Sequence, residues 1–258
     1  MGQPWLTARR RQRLRERPFP AAWREILKRR VPYVRALPTD LQLRLKQHIQ
    51  VFLAEKAFLG CQGQPITDEI RVTIAAQACL LLLGQTQDAQ GYYPGLRQIL
   101  VYPASFVVQR SNTDASGVQH QRREVLAGES WSQGQVVLSW HDSLADAANP
   151  GDGHNLVIHE FAHQLDQATG SANGAPVLAP GHDYAHWAAV LGQEFAALQA
   201  RAARQESSLL DDYGATDPAE FFAVATEVFF EQPQRLADEH PALYEELSRY
   251  YGLNPLSW

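Results

Sequence analysis

The chain has 258 residues, a formal net charge of −5, 45% hydrophobic and 20% charged residues. This composition excludes disordered and fibrous chains, and the length suits one or two domains with a core large enough to carry a polar cleft. Two cysteines, Cys61 and Cys79, stand outside any CxxC pair and so exclude a disulfide scaffold and a cysteine-based metal centre.

The charge is unevenly spread. Residues 1–30 hold ten Lys/Arg and two acids, a balance of +8, whereas the other 228 residues balance at −13. Such asymmetry is a nucleic-acid or membrane signal, but no recognition motif accompanies it, and the start reads as a basic arm. Pro18 and Pro20 then precede a short helix over Ala21–Arg30. Thr39 suits the N-cap of a helix from residue 40 to about 56, with Leu41, Leu45, Ile49, Phe52 and Leu53 recurring at three and four residues. Thr67 or Asp68 opens another helix, through Ile74, Cys79 and Leu82, that stops at Gly84.

Residues 98–108 and 135–140 are β-rich runs bounded by Gly, Ser and Pro. The helical pattern returns over residues 155–166, 184–204, 218–231 and 241–251. Helices, a small sheet, then helices predict an α+β fold with a mainly helical body. The longest apolar stretch, residues 78–84, is far short of a membrane span. No apolar segment of a secretory signal follows the basic start, so a cytoplasmic location is expected, with neither a membrane nor a specific nucleic acid as partner.

The sharpest feature is His159-Glu160-Phe161-Ala162-His163, an HExxH motif with Leu156, Val157, Phe161 and Leu165 as its apolar neighbours. Spacing i, i+4 puts both imidazoles on one helix face, close enough to share a metal. Glu160 sits beside that face, placed to take a proton from a metal-activated water rather than to bind the ion. Zinc suits two imidazoles and a carboxylate with a fourth position open for water. The alternative is a pair of ordinary helix histidines, one buried and one solvated; the helical context favours the motif.

A third ligand is required. The pattern with a third histidine needs Gly at 166 and His at 169, where the chain has Asp166 and Thr169; the remaining route is a glutamate on a later helix. Asp217 suits the N-cap of such a helix and Pro218 its first position. Glu220 falls where it serves either a capping box or a metal. Glu227 lies on the same face two turns on, and an acid among Phe221, Phe222, Val224, Val228 and Phe229 needs a partner such as a metal. Spacing alone favours Glu220 over Glu227 and leaves Asp166 and Asp183 open. Asp166 is also placed to accept the free N–H of a ligand imidazole, or is a solvated helix-end acid, and Glu227 is the other candidate for that supporting role. Asn155 suits an N-cap. His182 and His186 share i, i+4 spacing but lack a glutamate after the first, and read as structural.

HEFAHQLD followed by DYGATDPAEFFAVATEVFF resembles the Mlc titration factor A family of zinc-dependent peptidases, as do FLAEKAFLG at residues 52–60 and GESWSQGQVVLSW at residues 128–140. The resemblance extends over residues 18–258, expected to form one domain, and leaves residues 1–17 outside as a disordered arm. It implies a cytoplasmic gluzincin-type metallopeptidase with a zincin-like core, similar to that of anthrax lethal factor, one Zn2+ per chain, and aminopeptidase activity on small substrates. It maps the metal ligands onto His159, His163 and Glu220, the general base onto Glu160, and a further tyrosine onto Tyr213.

In that scheme Glu160 moves the proton from water to the leaving amine and Tyr213 donates to the oxyanion. Residues 135–140 form either an edge strand that aligns an extended peptide or an ordinary sheet strand. The family's founding member binds the repressor Mlc and lifts repression of a sugar phosphotransferase gene. A transcriptional repressor is therefore the alternative partner to a peptide or protein substrate.

Overall fold

The structure, a computed structural model, describes residues 4–84, 91–113, 119–126, 128–131 and 134–258. Three helices come first: α1 (Pro4–Arg15), α2 (Ala21–Arg30) and α3 (Thr39–Glu55). Next are β1 (Ala57–Gly60), α4 (Asp68–Leu80), β2 (Gln98–Tyr102), β3 (Phe106–Thr113), β4 (Gln119–Leu126), β5 (Gly128–Trp131) and β6 (Gln135–Ser139). The C-terminal half is helical: α5 (Trp140–Ala148), α6 (Leu156–Asp166), α7 (Tyr184–Ala203), α8 (Pro218–Glu231), α9 (Pro233–Glu239) and α10 (Pro241–Tyr251). The architecture is thus α+β with a mainly helical body. Among the described residues, no helix is long and apolar enough to cross a membrane.

The main sheet has the order β1-β2-β6-β5. β1, β2 and β6 are parallel, in the register Phe58–Ile99–Val136. Parallel neighbours need a crossover, and α4 supplies it between β1 and β2. β5 runs antiparallel to β6, placing Gly128 opposite Leu138. β3 and β4 pair as a separate hairpin. β6 is therefore flanked on both sides and is not an edge strand; among the described residues the edges are β1 and β5. Trp140 already belongs to α5, and the β-rich run over residues 98–108 breaks at Pro103 into β2 and β3.

Local signals explain most helix starts. Thr67 Oγ1 accepts the Ile70 N–H at the start of α4, and Asn155 Oδ1 accepts the Ile158 N–H at the start of α6. At α8 the Asp217 carboxylate accepts from Ala219 and Glu220 N–H, with Pro218 as the first helical residue. Thr39 does not cap: Pro38 occupies that position without a side-chain bond, and Thr39 is already helical. α4 ends at Leu80, and residues 81–84 form turns.

The core joins the sheet to the helices. Phe161, on α6, lies with its ring centroid 4.8 Å from that of Tyr93 and 5.7 Å from that of Phe52. Trp187 of α7 packs 5.9 Å from Phe222 of α8 and 5.3 Å from Tyr250 of α10.

Residues 4–15 correct the expectation of a disordered arm. They form α1, which lies against α3. Arg11 makes a two-pronged ion pair with Glu55, at 2.8 and 2.9 Å, and its guanidinium sits 5.0 Å over the Tyr92 ring. Arg15 is buried with Nη2 3.4 Å from the Tyr92 hydroxyl. The basic excess is partly neutralised by acids of the remainder of the chain, and that gives the segment a reason to fold. Arg29 and Arg30 of α2 follow the same rule, sharing Glu69 at 2.9 and 2.5 Å.

Candidate metal centre

The HExxH residues lie on α6, whose apolar side is buried through Val157, Ile158, Phe161 and Ala162. Burying that side fixes the rotation of the helix and turns His159 and His163 towards α8. His159 Nε2 and His163 Nε2 are 3.2 Å apart. Both meet the same oxygen of Glu220, Oε2, at 3.0 and 3.3 Å. Ligand atoms of these three residues all lie within 4.8 Å of one another, and no other such group exists among the described residues. Asp183 stands apart as the N-cap of α7.

Glu227 occupies a different position from Glu220. Its Oε1 is 2.7 Å from His159 Nδ1, and its Oε2 accepts the Asn155 N–H at 2.5 Å. A carboxylate that accepts a backbone N–H leaves the imidazole Nδ1 as the donor, so His159 Nε2 faces Glu220 as the free ring nitrogen. His159 Nε2, His163 Nε2 and Glu220 Oε2 thus face one another, an arrangement that a cation between them would satisfy. In the bare protein a proton takes that place: burial draws the His159 pKa down, but the hydrogen bonds to Glu220 and Glu227 outweigh it and hold the imidazole well above its usual range. Glu220 shows the reciprocal behaviour. Burial alone raises it, yet the bonds from His159 and His163 hold it far below the usual carboxylate range. The donor set of two imidazole nitrogens and one carboxylate oxygen fits a divalent metal such as zinc.

The α6 N-terminus is held by carboxylates. Asp146 Oδ2 accepts the Leu156 N–H at 2.8 Å, and Glu231 accepts from Gly151 N and Asn155 Nδ2 at 2.6 and 3.0 Å. Burial pushes Asp146 up to about 6 and Glu231 up to about 7. Asp166 is buried rather than a solvated acid; its Oδ2 accepts the N–H groups of Asn173 and Gly174, both at 2.8 Å.

A cleft of about 350 Å³ opens beside His159, lined by residues that include Gly128, His159, Glu160, Asp211, Tyr213 and Glu227. Glu160 is 5% exposed. It lies so close to β5 that a Cβ built on Gly128 would sit 2.5 Å from Glu160 Oε1. Tyr213 is exposed, with its ring 6.0 Å from that of His159. A 3-10 turn over Asp212–Ala215 carries it, capped by Asp211, whose Oδ1 accepts the Tyr213 N–H at 2.7 Å. Sequence reasoning missed Gly128, Asp146, Asp211 and Glu231. Of these only Glu231 left a periodic signal, four residues after Glu227 on the same helix. His182 and His186 bond to the two oxygens of Glu246, at 2.7 and 2.9 Å, away from the metal centre.

The sequence matches the profile of the glucose-regulated metallo-peptidase M90 family over residues 5–252. The chain belongs to that family. The match begins inside α1, so the M90 likeness takes in most of the stretch expected to lie outside it. A Synechocystis relative, uncharacterized protein slr2042, is 42% identical over 253 residues, 98% of this chain and 90% of that one. Proteins named Mlc titration factor A from Escherichia fergusonii and Serratia proteamaculans are each 36% identical, covering 88% and 92% of the M90 chain and 84% and 88% of their own length.

Proposed function

We propose that the protein is a zinc-dependent, aminopeptidase-like metallopeptidase on a zincin-like core. The carrying observation is the convergence of His159, His163 and Glu220 within 4.8 Å, beside a cleft lined by His159 and Glu160. A zinc ion held by these three residues supplies Lewis acidity to the scissile carbonyl and lowers the pKa of a bound water.

The chain's own groups do the rest. Glu160 takes the water's proton and delivers it to the leaving amine. Tyr213, carried on its capped turn beside His159, donates its phenolic hydrogen to the developing oxyanion. Glu227 keeps the His159 ring in the orientation that presents Nε2. The open edge of β5 offers backbone pairing to an extended peptide. Among the described residues, Glu160, Asp211 and Glu227 line the cleft and no Lys or Arg does, which suits a substrate with a free ammonium group. The expected compartment is the cytoplasm.

The test is metal analysis with a peptide-library digest of wild type and Glu160→Gln. The variant should retain one zinc per chain and lose hydrolysis by about 10²–10⁴-fold. Purified wild type without stoichiometric metal, and without activity on adding zinc, sinks the proposal. The name Mlc titration factor A on relatives favours a second reading, in which the protein sequesters a transcriptional repressor. A repressor effect in cells that survives Glu160→Gln would separate binding from catalysis.

A further inference from the structure

We infer that Asp166, Gly174 and Trp187 form a brace that fixes the spacing between the two ligand-bearing helices; the inference rests on the metal-binding reading above. Asp166 ends α6, three residues after His163, and is wholly buried. Its Oδ2 gathers two backbone N–H groups, those of Asn173 and Gly174, at 2.8 Å each. The Gly174 carbonyl accepts the indole N–H of Trp187 at 2.9 Å. Trp187 is 1% exposed and packs on Phe222 of α8. Gly174 itself rests on Pro218: a Cβ built there would lie 2.4 Å from the Pro218 carbonyl oxygen and 3.0 Å from its carbon. Pro218 is two residues before Glu220. One glycine therefore touches the end of the HExxH helix, the α7 anchor and the first turn of the Glu220 helix.

Directional bonds make this junction more than packing. Apolar surfaces slide past one another at little cost, whereas a carboxylate holding two N–H groups fixes both distance and angle. Burying that carboxylate is costly unless those bonds are made. A tetrahedral site tolerates ligand displacements of only about 0.5 Å, and the glycine lets the backbones approach closely enough to hold Glu220 within that range. Asp166, Gly174 and Trp187 are positioning residues; none of them touches the metal.

The experiment compares Gly174→Ala with Gly170→Ala in the full chain. Both glycines adopt positive φ, +74° and +107°, but a Cβ at Gly170 meets nothing within 4 Å. Both substitutions thus carry a backbone penalty, the larger at Gly170, and only Gly174→Ala strikes Pro218. Zn2+ dissociation constants are measured by chelator competition, and the Co2+-loaded protein's visible spectrum reports ligand geometry. Gly174→Ala should weaken Zn2+ binding about 10–100-fold, the range for residues that support metal ligands, and shift the Co2+ bands. Gly170→Ala should leave both unchanged. Trp187→Phe, which deletes the indole N–H and keeps an aromatic six-membered ring, should weaken Zn2+ binding as well and decides alone where Gly174→Ala does not fold. Wild-type affinity in Gly174→Ala, equal loss in Gly170→Ala, or unchanged affinity in Trp187→Phe where it decides alone, overturns the brace while leaving the metal site standing. A wild-type chain that binds no Zn2+ overturns the metal reading and the brace together.

Discussion

At Gly128 the absence of a side chain is the functional property. Its backbone lies against the Glu160 carboxylate, with a Cβ position 2.5 Å from Oε1 and 2.6 Å from Leu156 Cδ1. Gly128→Ala should therefore displace the proposed base and leave the three ligands in place. Hydrolysis should fall about 10²-fold, the cost of misplacing a catalytic group by about an ångström, with zinc content unchanged. Full activity in that variant would show that Glu160 does not need its present seat. His159 and His163 were legible in the sequence because i, i+4 spacing is a local geometric fact. Spacing favoured Glu220 over Glu227 as the ligand without excluding either, since both share one helix face and only partners 61 and 68 residues away separate them.

At the scale of elements, helices with a strong start signal were read to within a residue or two: Asn155 at α6, and Asp217 with Pro218 at α8. α5 and α9 were missed. α5 begins inside a β-rich run, where Ser139 ends β6 and caps the helix at once. α9 is seven residues long, too short for periodicity to register. α1 was misread because counting charge says nothing about partners; Glu55 lies 44 residues beyond Arg11. Arg11→Ala should cost about 2 kcal/mol in chemical unfolding, since it removes a two-pronged, half-buried ion pair and a cation–π contact. It should also expose residues 4–15 to proteolysis. Unchanged stability and unchanged cleavage would return that segment to the status of a solvated arm.

Across the whole molecule, the metal centre and the carboxylates behind it give a definite pH response. Glu231 and Asp146 have folded pKa values near 7 and 6, raised first by burial, so the folded state holds protons that the unfolded chain releases near pH 4. Their stabilising contribution is full below the unfolded values and is lost as pH rises through 6 to 7. His159, raised well above its usual value in the bare protein, acts in the same direction: its contribution is full below the unfolded value of about 6.5 and is lost as pH rises from there through the raised folded value. The metal-free Tm should therefore fall between pH 5.5 and pH 8. Metal loading competes with protons at His159, so the rise in Tm on adding zinc should grow over the same interval. A metal-free Tm that rises with pH would contradict the burial of these groups.

The ligands sit on helices that meet only in the finished fold, with α7 between them in the chain. During synthesis the HExxH segment leaves the ribosome well before Glu220 does. Until α8 emerges and docks, the two imidazoles form an open, weak site that lacks its carboxylate and its Glu227 support. Under the proposed ligand assignment, metal capture waits for α8 to dock, and a chain cut before α8 lacks the carboxylate of the site.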